Sequence, residues 1–240
     1  MHKIILTLLM TILFTPTANA QNCVNSSRCD ELGYTKTTAD CNGLDTLVCP
    51  FDETKFFCSS PFHDKSCEVG DALYSDKKCY SIVPAEAIVI GVVFDAGNRL
   101  AVALDEKRLG WGGYNEEIGS AARGTSGKSN TAAILAYGKA NNISYPAAEY
   151  CNTYSTAGTK AGDWFLPSLE ELKLLSNNFF GINRALTVLG KPTLPEDEAG
   201  YYWSSSEYLK DVARRLVPSS GATDYYAKII SYRVRPVLAF

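Results

Sequence analysis

Seven of the eight cysteines, Cys23, Cys29, Cys41, Cys49, Cys58, Cys67 and Cys79, fall within residues 23–79, and the eighth, Cys151, stands alone in the remaining 161 residues. That spacing constrains the fold more than any other feature, because it splits the chain into a cysteine-rich segment and a long segment that must be held by its own core. Residues 1–20 read as an export signal: Lys3 gives the positive end, Ile4 to Phe14 the apolar stretch, and Ala18-Asn19-Ala20 the small-residue cleavage triplet. An exported chain meets an oxidising compartment, so the cysteines are expected to pair as disulfides. Eight cysteines allow 105 connectivities, and the sequence leaves two outcomes for Cys151: a bridge to the cysteine-rich segment or a free thiol. Zinc is not expected, since 11, 7, 8, 8 and 11 residues separate successive cysteines from Cys29 to Cys79 and no Cys-x2-Cys knuckle occurs.

The segment before Tyr80 is also chemically distinct. From Gln21 to Tyr80 there are six Lys or Arg against ten Asp or Glu, while residues 81–240 carry sixteen of each. With few aliphatic residues this acidic module cannot bury much core and depends on its disulfides. The expected organisation is a signal peptide over 1–20, a disulfide module over 21–66 and a larger domain with its own core over 67–240. No later stretch approaches the roughly 20 apolar residues of a membrane span, so none is expected after signal cleavage.

In the long segment, Ala87 to Phe94 is a β-branched run, and Asp95-Ala96-Gly97-Asn98 turns it back into Arg99 to Leu104, which predicts a hairpin. Residues 105–130, around Trp111-Gly112-Gly113-Tyr114, read as an ordered surface loop. Gly127-Lys128-Ser129 lacks the earlier glycine of a phosphate loop, with Ala122 in its place, and is assigned to that loop. Helices are predicted from Asn130 to Ala140, from Pro146 to Tyr154, from Ser168, where Ser168 and Glu171 form a capping box, and from Ile182 to Leu189. Tyr201 to Trp203, Val212 to Pro218 and Tyr225 to Phe240 have strand character, with Pro236 marking an edge or bulge. The fold class expected is α+β, a twisted antiparallel sheet with two to three helices.

Catalytic chemistry is sparse. His63 is the only histidine after the signal and lies in the cysteine-rich module, which removes a Ser-His-Asp or Cys-His site from the main domain. Ser204, Ser205 and Ser206 lack an adjacent base. A glycosidase-type carboxylate pair would have to come from Glu170 or Glu171 with Glu207. Glu196-Asp197-Glu198 lacks the alternating ligands of a calcium loop. No cofactor, metal or nucleic acid is expected, and the protein is expected not to be an enzyme. The ligand-binding candidates are Arg214, Arg215, Lys228 and Arg233, within a local excess of three basic residues near the C-terminus.

Three blocks carry a resemblance. Trp164-Phe165-Leu166-Pro167-Ser168-x-Glu170-Glu171-Leu172, Tyr202-Trp203-Ser204-Ser205-Ser206-Glu207 and Val234-Arg235-Pro236-Val237 resemble the motifs of the Lcl C-terminal-domain family of exported bacterial proteins, and the likeness covers about residues 67–240. The family is similar in layout to C-type-lectin-like domains. The resemblance implies a non-enzymatic binding or adhesion role at the bacterial surface, in the periplasm or outside the cell, with a glycan or surface protein as partner. It also implies that Trp164, Leu166, Pro167, Glu171, Trp203, Ser204, Arg235 and Pro236 are core and capping residues rather than ligand contacts. The collagen-like stalk of the adhesin member is absent, as are the Glu-Pro-Asn and Trp-Asn-Asp signatures of calcium-dependent sugar binding.

Overall fold

The computed structural model describes the backbone of residues 35–37, 45–49, 52–59, 64–80, 87–197 and 200–240, and side chains within 65–80, 87–197 and 200–240. The signal segment, Cys23, Cys29, Cys41, His63 and Glu198 lie outside the described residues, as do the side chains of Cys49 and Cys58. The chain divides into two compact units, residues 1–63 and 64–240. The first contains an antiparallel sheet of β1 (Thr35–Thr37), β2 (Asp45–Cys49) and β3 (Asp52–Ser59) in that order, with Leu47 opposite Phe57.

The second unit is α+β. It begins at Asp64 and so takes in Cys67, which is bonded to Cys79 across a Cα–Cα distance of 5.2 Å. The short strands β4 (Asp64–Lys65) and β6 (Cys79–Tyr80) pair beside that bridge. The remaining strands build two five-stranded sheets instead of one. The first comprises β5 (Ala72–Tyr74), β7 (Val89–Asp95), β8 (Leu100–Ala103), β10 (Trp164–Phe165) and β15 (Val237–Ala239), ordered β10-β15-β8-β7-β5 and antiparallel throughout. The second comprises β9 (Lys107–Leu109), β11 (Tyr202–Glu207), β12 (Val212–Leu216), β13 (Thr223–Ala227) and β14 (Tyr232–Val234), ordered β13-β12-β11-β14-β9, with β11 and β14 parallel.

Pro236 explains the second sheet. The run from Tyr225 to Phe240, one strand-like stretch by composition, is cut between Val234 and Val237, and the chain passes there from the second sheet to the first. Proline has no N–H to place in either ladder, and its carbonyl still accepts from Ala103 N–H.

Four α-helices pack on these sheets: α1 (Gly127–Asn141), α2 (Pro146–Thr153), α3 (Leu169–Asn177) and α4 (Phe179–Val188). α1 begins at Gly127, so the Gly127-Lys128-Ser129 stretch is its first turn and not a loop. The Ser126 side chain accepts from Ser129 N–H, and Gly127 N–H reaches the Glu171 carboxylate at 3.1 Å. Glu171 also closes the Ser168 capping box of α3. One carboxylate therefore collects N–H groups from two helix starts, an arrangement that satisfies both and opposes both dipoles.

The core has three parts. Leu172 and Leu175 of α3 and Ile182 and Leu186 of α4 meet Val92, Phe94, Val102, Tyr202 and Leu216. Ile134 of α1 and Ala147, Ala148 and Cys151 of α2 meet Trp111, Leu166, Trp203 and Val234. Trp164 packs with Leu73, Ile90, Val93 and Leu238.

Of the two outcomes left open for Cys151, the structure has the free thiol: it forms no disulfide, is fully buried on the inner face of α2, and burial pushes its pKa well above the ordinary thiol value. One expectation is corrected: the segment from 105 to 130 is not only surface loop, because Trp111 is 1% exposed and donates to the Ser204 carbonyl at 2.8 Å. That anchoring needs both neighbouring glycines. Gly112 has φ +98°, and a Cβ there would lie 2.5 Å from the Ser144 carbonyl oxygen. Gly112→Ala should therefore destabilise the protein by about 2 kcal/mol or more, read by chemical denaturation; an unchanged midpoint would show that this approach is not tight.

Candidate ligand-binding site

All six residues of β11 are buried, and the strand runs from the core to the mouth of a cleft. This open cleft of about 340 Å³ is lined by Arg123, Gly124, Thr125, Leu169, Glu170, Ser206, Glu207, Tyr208 and Arg214. Its position follows from the fold: β11 delivers Ser206 and Glu207, the turn to β12 delivers Tyr208, and α3 begins at Leu169, whose N–H donates to Ser206 Oγ at 3.0 Å.

Glu207 forms the floor. Its side chain is fully buried and paired with the equally buried Lys228, Nζ to Oε1 at 2.8 Å. It also accepts from Ile118 N–H at 3.1 Å and Gly119 N–H at 2.8 Å, and Arg123 lies 3.6 Å away. Lys228 donates further to the Glu116 and Lys210 carbonyls, and its Nζ sits 4.7 Å from the Trp111 ring centroid. Burial lowers the pKa of Lys228, and the bond to Glu207 opposes that shift. The pair ties the 110–124 segment, β11 and the turn after β13 together. Of the carboxylates considered for a glycosidic pair, Glu207 has donors on both oxygens and Glu171 is held at two helix starts, while Glu170 lines the cleft with Glu207 and is paired with Lys173 at 2.8 Å.

The four basic candidates separate. Arg214 and Arg215 are neighbours on β12 and so point to opposite faces. Arg215 is 6% exposed and corrected from the ligand candidates: its guanidinium lies 3.7, 4.3 and 4.5 Å from the Tyr201, Tyr226 and Tyr232 rings and is bonded to Asp224 at 2.8 Å. Lys228 is corrected likewise, since it is sealed against Glu207. Arg233 is half-buried and paired with Glu106, which also meets Arg235 at 3.3 Å and the Tyr202 hydroxyl. Their shared cause is one the sequence hides: Arg215, Lys228 and Arg233 each meet a carboxylate that the fold brings up, Asp224 on the neighbouring strand β13, Glu207 on β11 and Glu106 just before β9.

Arg214 alone reaches the cleft. Its guanidinium lies 4.0 Å from the Tyr208 ring and 5.8 Å from Tyr225, and those two rings stack at 4.5 Å with 28° between planes. Tyr225 is exposed beside it, and Leu209, Tyr226, Ile229 and Ile230, in or next to β12 and β13, are exposed as well. β13 forms the outer edge there. Tyr208 and Tyr225 are not legible as site residues in the sequence, because they meet Arg214 only through the β11–β12 turn and the pairing of β12 with β13, which sets Arg214 opposite Tyr225.

Asp224 gives a pH test. The hydrogen bond from Arg215 holds its carboxyl below the ordinary carboxylate value, against a smaller opposing effect of burial. A lowered folded-state pKa stabilises the fold above the unfolded-state pKa, and this contribution is lost as pH falls through the folded value. Acid melts of the wild type should lose this component below about pH 4; in Asp224→Asn it should be missing at all pH values, and parallel acid limbs in the two proteins would contradict it.

Among the described residues no group of three or more His, Cys, Asp or Glu side chains gathers to hold a metal ion, and no helix is long and apolar enough to cross a membrane. Glu196 and Asp197 are exposed, and Trp164, Leu166, Pro167, Trp203, Ser204, Arg235 and Pro236 are buried.

The two-sheet α+β fold has a counterpart among solved structures. It is similar to the crystal structure of a fimbrial protein from Bacteroides ovatus, with a TM-score of 0.58 and 16% sequence identity, over 72% of this chain and 49% of the other. The chain thus spans about half the length of that protein, and the likeness is one of fold. No family model matches the sequence, and no curated protein matches it.

Proposed function

We propose that this is an exported bacterial surface protein of the Lcl C-terminal type that binds rather than turns over its ligand, and that the ligand is an extracellular glycan taken at the Arg214 cleft. The observation that carries the reading is a polar cleft whose mouth holds a guanidinium stacked on paired tyrosines. Aromatic rings offer an apolar face to a sugar ring, and the surrounding hydroxyl and carboxylate groups suit its hydroxyls. Glu207, the one buried carboxylate of the cleft, is neutralised by Lys228, which supports binding over acid–base catalysis.

A second reading, an assembly component of the envelope with a protein partner, is supported by the fold likeness to a fimbrial protein and by the exposed aromatic edge at β13. Retention of the full chain on a panel of immobilised neutral, carboxylated and sulfated glycans separates the two. Glycan binding predicts retention that Arg214→Ala with Tyr225→Ala abolishes. No retention anywhere, with capture of one protein by crosslinking in cells, would favour assembly instead.

A further inference from the structure

Resting on the reading of the cleft as a glycan site, we infer that its ligand is a sugar acid, a pyranose carrying a single carboxylate, and that Arg214 binds that carboxylate. Three observations lead there. The first is that the Arg214 guanidinium has no hydrogen bond and no carboxylate within 4 Å among the described residues: it contacts two rings, and Asp224, bonded to Arg215, acts on it only at longer range. Arg123, Arg215, Arg233 and Arg235 each have a carboxylate within 4 Å. Stacking on Tyr208 fixes the plane of the Arg214 fork while leaving its donors unspent, and a planar fork with two parallel N–H groups matches a carboxylate in bidentate fashion.

The second is the charge balance. Every other charged side chain lining the cleft has its own partner: Glu207 with Lys228 at 2.8 Å, Glu170 with Lys173 at 2.8 Å, and Arg123 with Glu117 at 2.6 Å. One positive charge is left over. That suits a monoanion, whereas a sulfated polymer gains its affinity from many cations together, and the whole chain carries a net charge of −3.

The third is size and lining. About 340 Å³ is near the lower end for a ligand pocket and suits one sugar ring. Thr125, Glu170 and Ser206 offer hydroxyl and carboxylate partners to ring hydroxyls, while Tyr225, 46% exposed, extends the stacked aromatic surface beyond the cleft.

The test is titration of the full chain, followed by tyrosine and tryptophan fluorescence and by calorimetry, with methyl glucuronide, methyl glucoside and heparin. Methyl glucuronide should bind roughly ten- to hundredfold more tightly than methyl glucoside, the ratio expected for one charge-assisted pair. Arg214→Ala should erase that preference with only a small change in melting temperature, because the partly exposed side chain makes ring contacts but no hydrogen bond or ion pair with a described residue, and Arg214→Lys should restore only part of it. Equal binding of glucuronide and glucoside, heparin binding with a steep many-charge salt dependence, or an Arg214→Ala protein that keeps the preference would each overturn the inference. If the chain is retained on a neutral or sulfated glycan in an Arg214-dependent way but shows no glucuronide preference, the glycan reading stands and the sugar-acid assignment falls.

Discussion

Replacing Lys228 by alanine should cost about 3–5 kcal/mol of folding stability, because it removes the buried cation at 2.8 Å and leaves the fully buried Glu207 carboxylate only the longer contact to the partly exposed Arg123, at 3.6 Å. The bonds to Glu207, to the Glu116 carbonyl and to the Lys210 carbonyl would all be lost, and with them the clamp on the 110–124 segment. The charge argument can be isolated from the packing argument. Lys228→Met with Glu207→Gln keeps side chains of similar length and retains an acceptor for the Ile118 and Gly119 N–H groups. That double variant should recover much of the loss, since no unpaired charge remains. Urea unfolding of the three proteins gives the comparison. A Lys228→Ala protein within about 1 kcal/mol of wild type, the range of exposed ion pairs, would show that the pair is solvated.

Trp203→Ala should be comparably severe, at about 3–5 kcal/mol. The indole is fully buried, packs edge-on against Tyr232 at 5.0 Å and donates to the Leu109 and Ile230 carbonyls at 3.1 and 3.2 Å. It therefore joins β11 both to β9 and to the turn after β13, across the sheet. Trp203→Phe keeps most of the packing and loses only the donor, so it should cost about 1–3 kcal/mol. Equal losses in the two variants would place the energy in the hydrogen bonds and not in the ring.

Much of the fold was legible where the signal was local. The hairpin β7–β8 follows from a β-branched run and a polar turn, and the start of α3 from a serine three residues before a glutamate. The first turn of α1 was not legible. Gly127 and Ser129 are weak helix formers, and the turn is helical because Ser126 caps it and its leading N–H meets the Glu171 carboxylate, 44 residues away. The burial of Trp111 was hidden for a similar reason, since its glycine neighbours read as loop while their function is to let the backbone approach Ser144 and Tyr145. The second sheet was concealed by one residue, Pro236, which reads as an edge mark and acts as a crossing point between sheets.

The candidate site divides in the same way. Arg214 could be selected from the sequence as part of a basic run. Its separation from Arg215, Lys228 and Arg233 could not, because Asp224, Glu207 and Glu106 reach those cations only through strand pairing and loop closure. The cysteine pattern pointed to disulfides in general, and the Cys67–Cys79 bridge lies beside β6. Cys151 escapes that pattern because the face of α2 that carries it is packed into an apolar core.

The most direct test of the binding assignment is retention on the immobilised glycan panel, comparing the wild-type chain with Arg214→Ala/Tyr225→Ala at matched melting temperature. The account predicts that the wild type is retained on at least one glycan and the double variant on none. Equal retention of the two proteins would contradict it, because the ligand would then be held somewhere other than the Arg214 cleft.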